Sequence, residues 1–87
     1  MVTVKKYSAS WCAPCRQLTQ VFSSVKAQFM GNVQFIEVDV DNNQHDAREN
    51  GVMSVPTVII FKNGNEVARF TGVRSPNEYI STIQNYI

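Results

Sequence analysis

The two cysteines of this 87-residue chain stand three positions apart, Cys12 and Cys15, inside Ser8-Ala9-Ser10-Trp11-Cys12-Ala13-Pro14-Cys15-Arg16. Sulfur at that spacing has three chemical uses: a disulfide staple, half of a metal site, or a redox couple. A staple closing so small a loop removes little entropy from the unfolded chain. A zinc site wants three or four ligands. The chain has no third cysteine, and its one histidine, His45, lies in a separate polar segment, so a second subunit would have to complete the site. Both uses stay open. The redox couple has the stronger local support. Pro14 suits the first turn of a helix, and there unpaired N–H groups and the helix dipole stabilise a thiolate at Cys12. Arg16 adds positive charge. A thiolate there can attack a substrate disulfide, and Cys15, one helical turn deeper, can resolve the mixed disulfide. On this reading Cys12 is the exposed nucleophile and Cys15 the shielded resolver.

The flanking elements must hold that turn in place. Val2 to Tyr7 reads as a short strand. Leu18, Val21, Phe22, Val25 and Phe29 then fall on one face of an amphipathic helix, ended by Gly31-Asn32. Val33 to Val40 is a second strand, apolar on both faces as a central strand of a covered sheet is. The polar segment from Asn43 to Asn50 reads as helical, stopped by Gly51. Pro56 opens an apolar strand, Thr57 to Phe61, and Asn63-Gly64 signals a type I′ hairpin returning through Glu66 to Thr71. Ser75-Pro76-Asn77-Glu78 is a capping box, with Tyr79, Ile80, Ile83 and Ile87 expected on the buried face of the last helix. The order βαβαββα predicts a single α/β domain over residues 1–87. Its first β-α-β unit makes a parallel pair, its hairpin adds two antiparallel strands, and helices cover both faces of a four-stranded mixed sheet.

Composition narrows the partners. The chain is 44% hydrophobic and 17% charged, with a formal charge of +1. That balance argues against nucleic acid or an anionic membrane as the main partner. The run Val58-Ile59-Ile60-Phe61 is far too short to span a bilayer. Met1 leads directly into strand-like sequence, so no secretory signal is expected. A reducing cytoplasm and a monomer are the expectations, and in that compartment a cysteine pair is more often catalytic or metal-binding than structural.

Four segments together resemble the thioredoxin family. Trp11-Cys12-Ala13-Pro14-Cys15-Arg16 has the family's Trp-Cys-x-Pro-Cys-basic form, and Ser54-Val55-Pro56-Thr57 its x-Val/Ile-Pro-Thr segment. Phe61-Lys62-Asn63-Gly64 resembles its hairpin, and Phe70 with Gly72 its final loop. They are spaced as in the family, without a gap, over nearly the whole chain. The resemblance implies a minimal thioredoxin fold and reduction of protein disulfides, with Cys12 attacking and Cys15 resolving. It implies that Pro56 is cis and faces the disulfide, leaving the Val55 backbone edge free to pair with a substrate strand. It also implies a flat apolar docking surface made by Trp11, Ala13, Pro14, Val55, Gly72 and Val73. Plainer uses exist: a strand-opening proline at Pro56, core packing at Trp11, a simple turn at Gly72. No cofactor is expected on the chain, because the electrons reside in the two sulfurs. They would come indirectly from NADPH through thioredoxin reductase or an equivalent dithiol donor, and go to disulfide-containing proteins such as ribonucleotide reductase-like enzymes.

The departures from the family are specific. The chain lacks the first strand and helix of full-length members, Ala13 replaces a glycine, Gln20 a helix-kinking proline, and Ser8 a tryptophan. The largest concerns charge. Where the family has a buried acid six residues before the first cysteine this chain has Lys6, and where it has a partner lysine this chain has Glu37. Alternation supports a swapped pair independently: Lys6 shares a strand face with Val2 and Val4, and Glu37 with Val33 and Phe35. An unpaired buried charge is costly; the plainer alternative has both tips snorkel to solvent. The family's buried acid shuttles the proton of the second cysteine, so Glu37, held by Lys6, is the expected relay for Cys15. Two rival functions remain. One is a glutaredoxin-like enzyme recharged by glutathione, against which stand Trp11, Ala13-Pro14 in place of Pro-Tyr, and Gly72-Val73 in place of Gly-Gly. The other is a non-catalytic binding subunit with incidental thiols.

Overall fold

Along the first strand, Val2 and Val4 point to one side of the sheet and Tyr7 to the other, and all three are buried. A strand covered on both faces needs lateral neighbours and helices above and below. The computed structural model, which describes residues 1–87, supplies them. Its elements are β1 (Val2–Ser8), α1 (Ala13–Gln28), β2 (Val33–Asp39), α2 (Gln44–Glu49), β3 (Thr57–Lys62), β4 (Asn65–Thr71) and α3 (Pro76–Gln84). The sheet runs β2-β1-β3-β4, parallel between β1 and β2 and antiparallel elsewhere. This is the mixed α/β sandwich expected from the element order.

Two expectations need correction. β2 is an edge strand, and β1 and β3 are the central ones. Apolar residues on both faces of a strand report helices above and below it and say nothing about its neighbours in the sheet. Ile87 is not on the buried face of α3: the helix ends at Gln84, and Ile87 is exposed. Half-buried Tyr86 packs against the core instead. Lys62 donates to its carbonyl at 2.5 Å.

The larger core lies on the α1/α3 face. Val2, Val4, Val58 and Ile60 of the sheet meet Leu18, Phe22 and Val25 of α1 and Tyr79 and Ile83 of α3. The Tyr79 ring stacks edge-on against Phe22 and Phe70, with centroids 5.1 and 4.9 Å apart. Asn63 and Gly64 both take positive φ, 52° and 87°, so the β3–β4 turn follows the strand twist. At α3, the Glu78 carboxylate accepts from the Ser75 N–H at 3.1 Å, closing the N-terminus as the Ser-Pro-Asn-Glu pattern foretells.

The opposite face is small, built on Tyr7, Val38, Ala47 and Ile59. Six-residue α2 buries only Ala47 of its own, so polar bonds must hold it. Its Asp46 accepts from Tyr7 Oη at 2.8 Å, Lys5 Nζ at 3.0 Å and Asn50 Nδ2 at 2.8 Å. Arg69 of β4 donates to the Asn50 carbonyl at 2.6 Å. Burial pushes the Asp46 carboxyl up, but the bonds from Lys5 and Tyr7 outweigh it and hold it below the usual carboxylate range. Burial, then the bond to Asp46, raises the Tyr7 phenol well above its ordinary value.

Asp46→Ala leaves the Tyr7 hydroxyl without its partner and is expected to cost about 1–3 kcal/mol in urea unfolding at neutral pH. Because the folded carboxyl titrates below its unfolded value, its contribution is complete above the unfolded range and is lost as pH falls through the folded one. The gap between wild type and variant therefore narrows in acid; a gap independent of pH would contradict the assignment.

Candidate active site

β1 ends at Ser8, and the chain turns at once into α1. The turn closes by the Cys12 N–H donating to the Ala9 carbonyl at 3.2 Å. Cys12 is the N-cap of α1, extended at φ −93° and ψ 110°, and its Sγ accepts the Cys15 N–H at 3.2 Å. The place usually held by a serine or aspartate oxygen is thus held by sulfur. Cys12 and Cys15 are joined by a disulfide, with Cα atoms 5.3 Å apart. Pro14 lies in the first turn, which carries no acidic residue. Arg16 is its one charged side chain, with Nη2 donating to the Ser10 carbonyl at 3.4 Å. A helix N-terminus whose first turn carries one cation and no acidic residue favours the thiolate once the bond is opened.

Exposure does not separate the two sulfurs as expected. Cys12 is 5% exposed and Cys15 4%. In the disulfide state both are covered by Ala9, Val40 and Val55. What differs is position: Cys12 caps the helix, whereas Cys15 lies within its first turn.

The loop around Pro56 is held by one side-chain and one backbone hydrogen bond. The Val55–Pro56 peptide is cis, and Pro56 is buried while Val55 is half-exposed. Thr57 Oγ1 donates to the Ser54 carbonyl at 2.8 Å, and the Gly72 N–H donates to the Pro56 carbonyl at 2.9 Å. Gly72 takes φ +82°, and a Cβ there would meet no atom within 4 Å. The backbone angle, not crowding, asks for glycine here. Tyr79 Oη holds the same loop, accepting the Arg74 N–H at 3.1 Å, and Val73 packs half-buried on the larger core.

Trp11 is 66% exposed, which rules out simple core packing, and its Nε1 donates to Asp41 Oδ2 at 2.9 Å. Ala13 and Pro14 are exposed beside it. An apolar groove of about 200 Å3 runs from Trp11 along Val40, Ala47, Val52, Met53, Ser54 and Val55. Of this groove, sequence reading singled out Trp11 and Val55 alone. Val40, expected as the end of the second strand, lies just past β2, while Val52 and Met53 come from the loop before β3, where no periodicity flags residues. Asp41 also went unnoticed, since nothing local marks it as the partner of an indole thirty residues earlier.

Lys6 and Glu37 pair as alternation predicts: they are register partners on β1 and β2, with Lys6 Nζ 2.8 Å from Glu37 Oε1. The pair is not buried as a unit. Lys6 is 2% exposed, whereas the Glu37 side chain is 55% exposed and also meets Lys26 at 3.6 Å. An edge strand leaves its outer side chains to solvent, so the carboxylate reaches water while the lysine lies under α1. The Lys6 bond, partly offset by burial, holds the Glu37 carboxyl below its ordinary value. Lys6 Nζ also donates to Thr19 Oγ1 at 3.1 Å, and Thr19 Oγ1 to the Cys15 carbonyl at 3.1 Å. The chain of bonds from Glu37 therefore ends on the backbone oxygen of Cys15, not on its sulfur. A separate polar cleft of about 320 Å3 does reach Cys15; Ser8, Ala9, Ser10, Arg16, Thr19 and Asp39 complete its walls. No group of three or more His, Cys, Asp or Glu side chains is placed to hold a metal ion.

The thioredoxin family pattern matches residues 1–85. Thioredoxin of Chlamydia trachomatis is 35% identical over 80 residues, which are 92% of this chain and 78% of that one. Thioredoxin of Synechocystis is 33% identical over 79 residues, 91% of this chain and 74% of the other. A mutant thioredoxin from Halobacterium salinarum superposes with a TM-score of 0.89 at 29% identity, covering 98% of this chain and 74% of its own. The sheet order, the sulfur at the mouth of α1 and the family pattern coincide over one stretch of chain, and that chain belongs to the thioredoxin family.

Proposed function

We infer that this thiol–disulfide oxidoreductase reduces disulfides of partner proteins that dock across the cis-proline loop. The Cys12–Cys15 disulfide at the N-cap of α1 carries the reading. In the reduced protein, Cys12 Sγ as thiolate attacks one sulfur of the substrate disulfide. The substrate S–S bond breaks, its electron pair leaves on the distal sulfur, and Cys12 is held in a mixed disulfide. Cys15 Sγ then attacks Cys12 Sγ, expelling the second substrate thiolate and forming the intramolecular disulfide. Two electrons have passed to the substrate. A partner dithiol enzyme, proposed to be a thioredoxin reductase drawing on NADPH, returns them. The reducing cytoplasm is the proposed place of work, since the pair must cycle back to dithiol; no helix is long and apolar enough to cross a membrane.

Docking is proposed to use Trp11, Ala13, Pro14, Val55, Gly72 and Val73. Supporting this are the exposure of Trp11, Ala13 and Pro14 and the open face at Gly72. The Gly72–Pro56 backbone bond joins the two loops into one platform. An extended substrate strand would lie along Val55 with its sulfur at Cys12. Lys6 and Glu37 enter as a charge pair that fixes the underside of the Cys15 turn through Thr19.

NADPH consumption during reduction of a model protein disulfide tests the proposal in two mixtures, one with thioredoxin reductase and one with glutathione and glutathione reductase. Turnover in the first alone is expected. Turnover in the second alone would make the protein a glutathione-recharged enzyme, and silence in both would point to a dedicated partner reductase or a scaffold. Cys12→Ser should abolish turnover, and Cys15→Ser should trap a covalent mixed disulfide with the substrate. Asp41→Ala frees the Trp11 indole. It should raise KM for the protein disulfide about threefold to tenfold, the worth of one hydrogen bond, with kcat little changed. An unchanged KM would remove Asp41 from the docking platform.

A further inference from the structure

The resolving step releases a proton. Cys15 must lose its thiol hydrogen as its sulfur attacks Cys12, yet it lies 4% exposed under Ala9 and Val55. The polar cleft of about 320 Å3 is lined in part by this cysteine. Several waters fit such a volume, and polar walls give them partners. Cys12 and Glu37 are absent from those walls, and Asp39 is the carboxylate among them. Ser8 and Asp39 are register partners at the C-terminal ends of β1 and β2. The strand ends therefore set the carboxylate on one wall, with the first turn of α1 and Cys15 on the other.

The surrounding charges, Arg16 excepted, are committed elsewhere. From β1, Lys6 lies behind Thr19 on Glu37; from α1, Lys26 turns to the same Glu37. Arg16 of α1 stands on the cleft wall. Asp41, in the loop after β2, holds Trp11. The cis-proline loop, Ser54 to Pro56, brings no titratable side chain. Asp39 itself accepts the Asp41 N–H at 2.9 Å and Asn42 Nδ2 at 3.3 Å, which fixes its carboxylate without neutralising it.

We propose that Asp39, through water in this cleft, is the proton acceptor for Cys15 in the resolving step; this deepens the redox reading above and rests on it. As the Cys15–Cys12 sulfur bond forms, the bond from Cys12 to the substrate sulfur breaks, and its electron pair leaves on the substrate thiolate. The Cys15 proton passes through water to Asp39 and from there to solvent or to the departing thiolate. The role expected of Glu37 thus moves two residues along the same strand face, to the carboxylate that shares a cleft with Cys15.

Single-turnover mixing of the reduced protein with the aromatic disulfide dithiobis(nitrobenzoate) separates the steps. Attack by Cys12 releases one coloured thiolate, and resolution by Cys15 releases a second. Asp39→Asn should leave the first release within about twofold and slow the second about tenfold at neutral pH. An amide oxygen there still accepts the Asp41 N–H, so the turn is kept, and Asp39→Glu should restore most of the second release. In a Cys12→Ser background, Asp39→Asn should also speed iodoacetamide alkylation of Cys15 about twofold to fivefold, because an anion facing a thiol disfavours its thiolate. Easier ionisation together with slower resolution is a combination that a merely structural defect does not produce. An unchanged second release, equal slowing of both releases, or slowing in Glu37→Gln instead would overturn the assignment. No second release from the wild type would overturn the redox reading itself, and this proposal with it.

Discussion

The sulfur of Cys12 occupies the position where a helix needs an acceptor. The first turn of α1 presents N–H groups with no partner inside the helix, and Cys12 Sγ accepts the one from Cys15. The same atom forms the disulfide. One structural requirement, capping a sixteen-residue helix, is thus joined to the chemical requirement of stabilising negative charge on sulfur. Everything around it keeps the helix mouth in place: the Ala9 turn ties it to β1, and Leu18, Phe22 and Val25 anchor the helix in the larger core.

That constraint explains the polarisation of the molecule. The α1/α3 face holds the larger, aromatic-rich core, which anchors the helix bearing the sulfurs. The α2 face is thinner and held by the Asp46 network. From it come Ala47 and Val52, walls of the apolar groove beside Trp11. The sulfurs and the apolar groove therefore rest on different halves of the sandwich, joined through the central strands β1 and β3.

Charge beneath the site follows from sheet topology. Because β2 is an edge strand, Glu37 can face solvent while binding a lysine buried under α1. That arrangement lowers the desolvation cost of the pair, since only one of its ions is fully removed from water. A different carboxylate, Asp39, shares the polar cleft with Cys15. Two acids on one strand face thus have separate surroundings, one neutralised by two lysines and one opening on water.

Much of this was legible in one dimension. Helical and strand periods, the Asn63-Gly64 turn and the Ser75 capping box are local features, and each declares its element within a few residues. The Cys12–Cys15 spacing, with Pro14 between, declares a helix mouth bearing sulfur, and the family positions together with alternation paired Lys6 with Glu37. Properties that depend on which segments become neighbours were not legible: the edge position of β2, the exposure of Ile87, the equal burial of the two cysteines, and the meeting of Trp11 with Asp41. The polar cleft belongs with these, because its walls come from three parts of the chain, residues 8–10, 15–19 and 39. Local patterns determined the elements and the reacting pair. Only tertiary packing decided which charges, walls and solvent surround it, because those depend on distances through space that no spacing along the chain encodes.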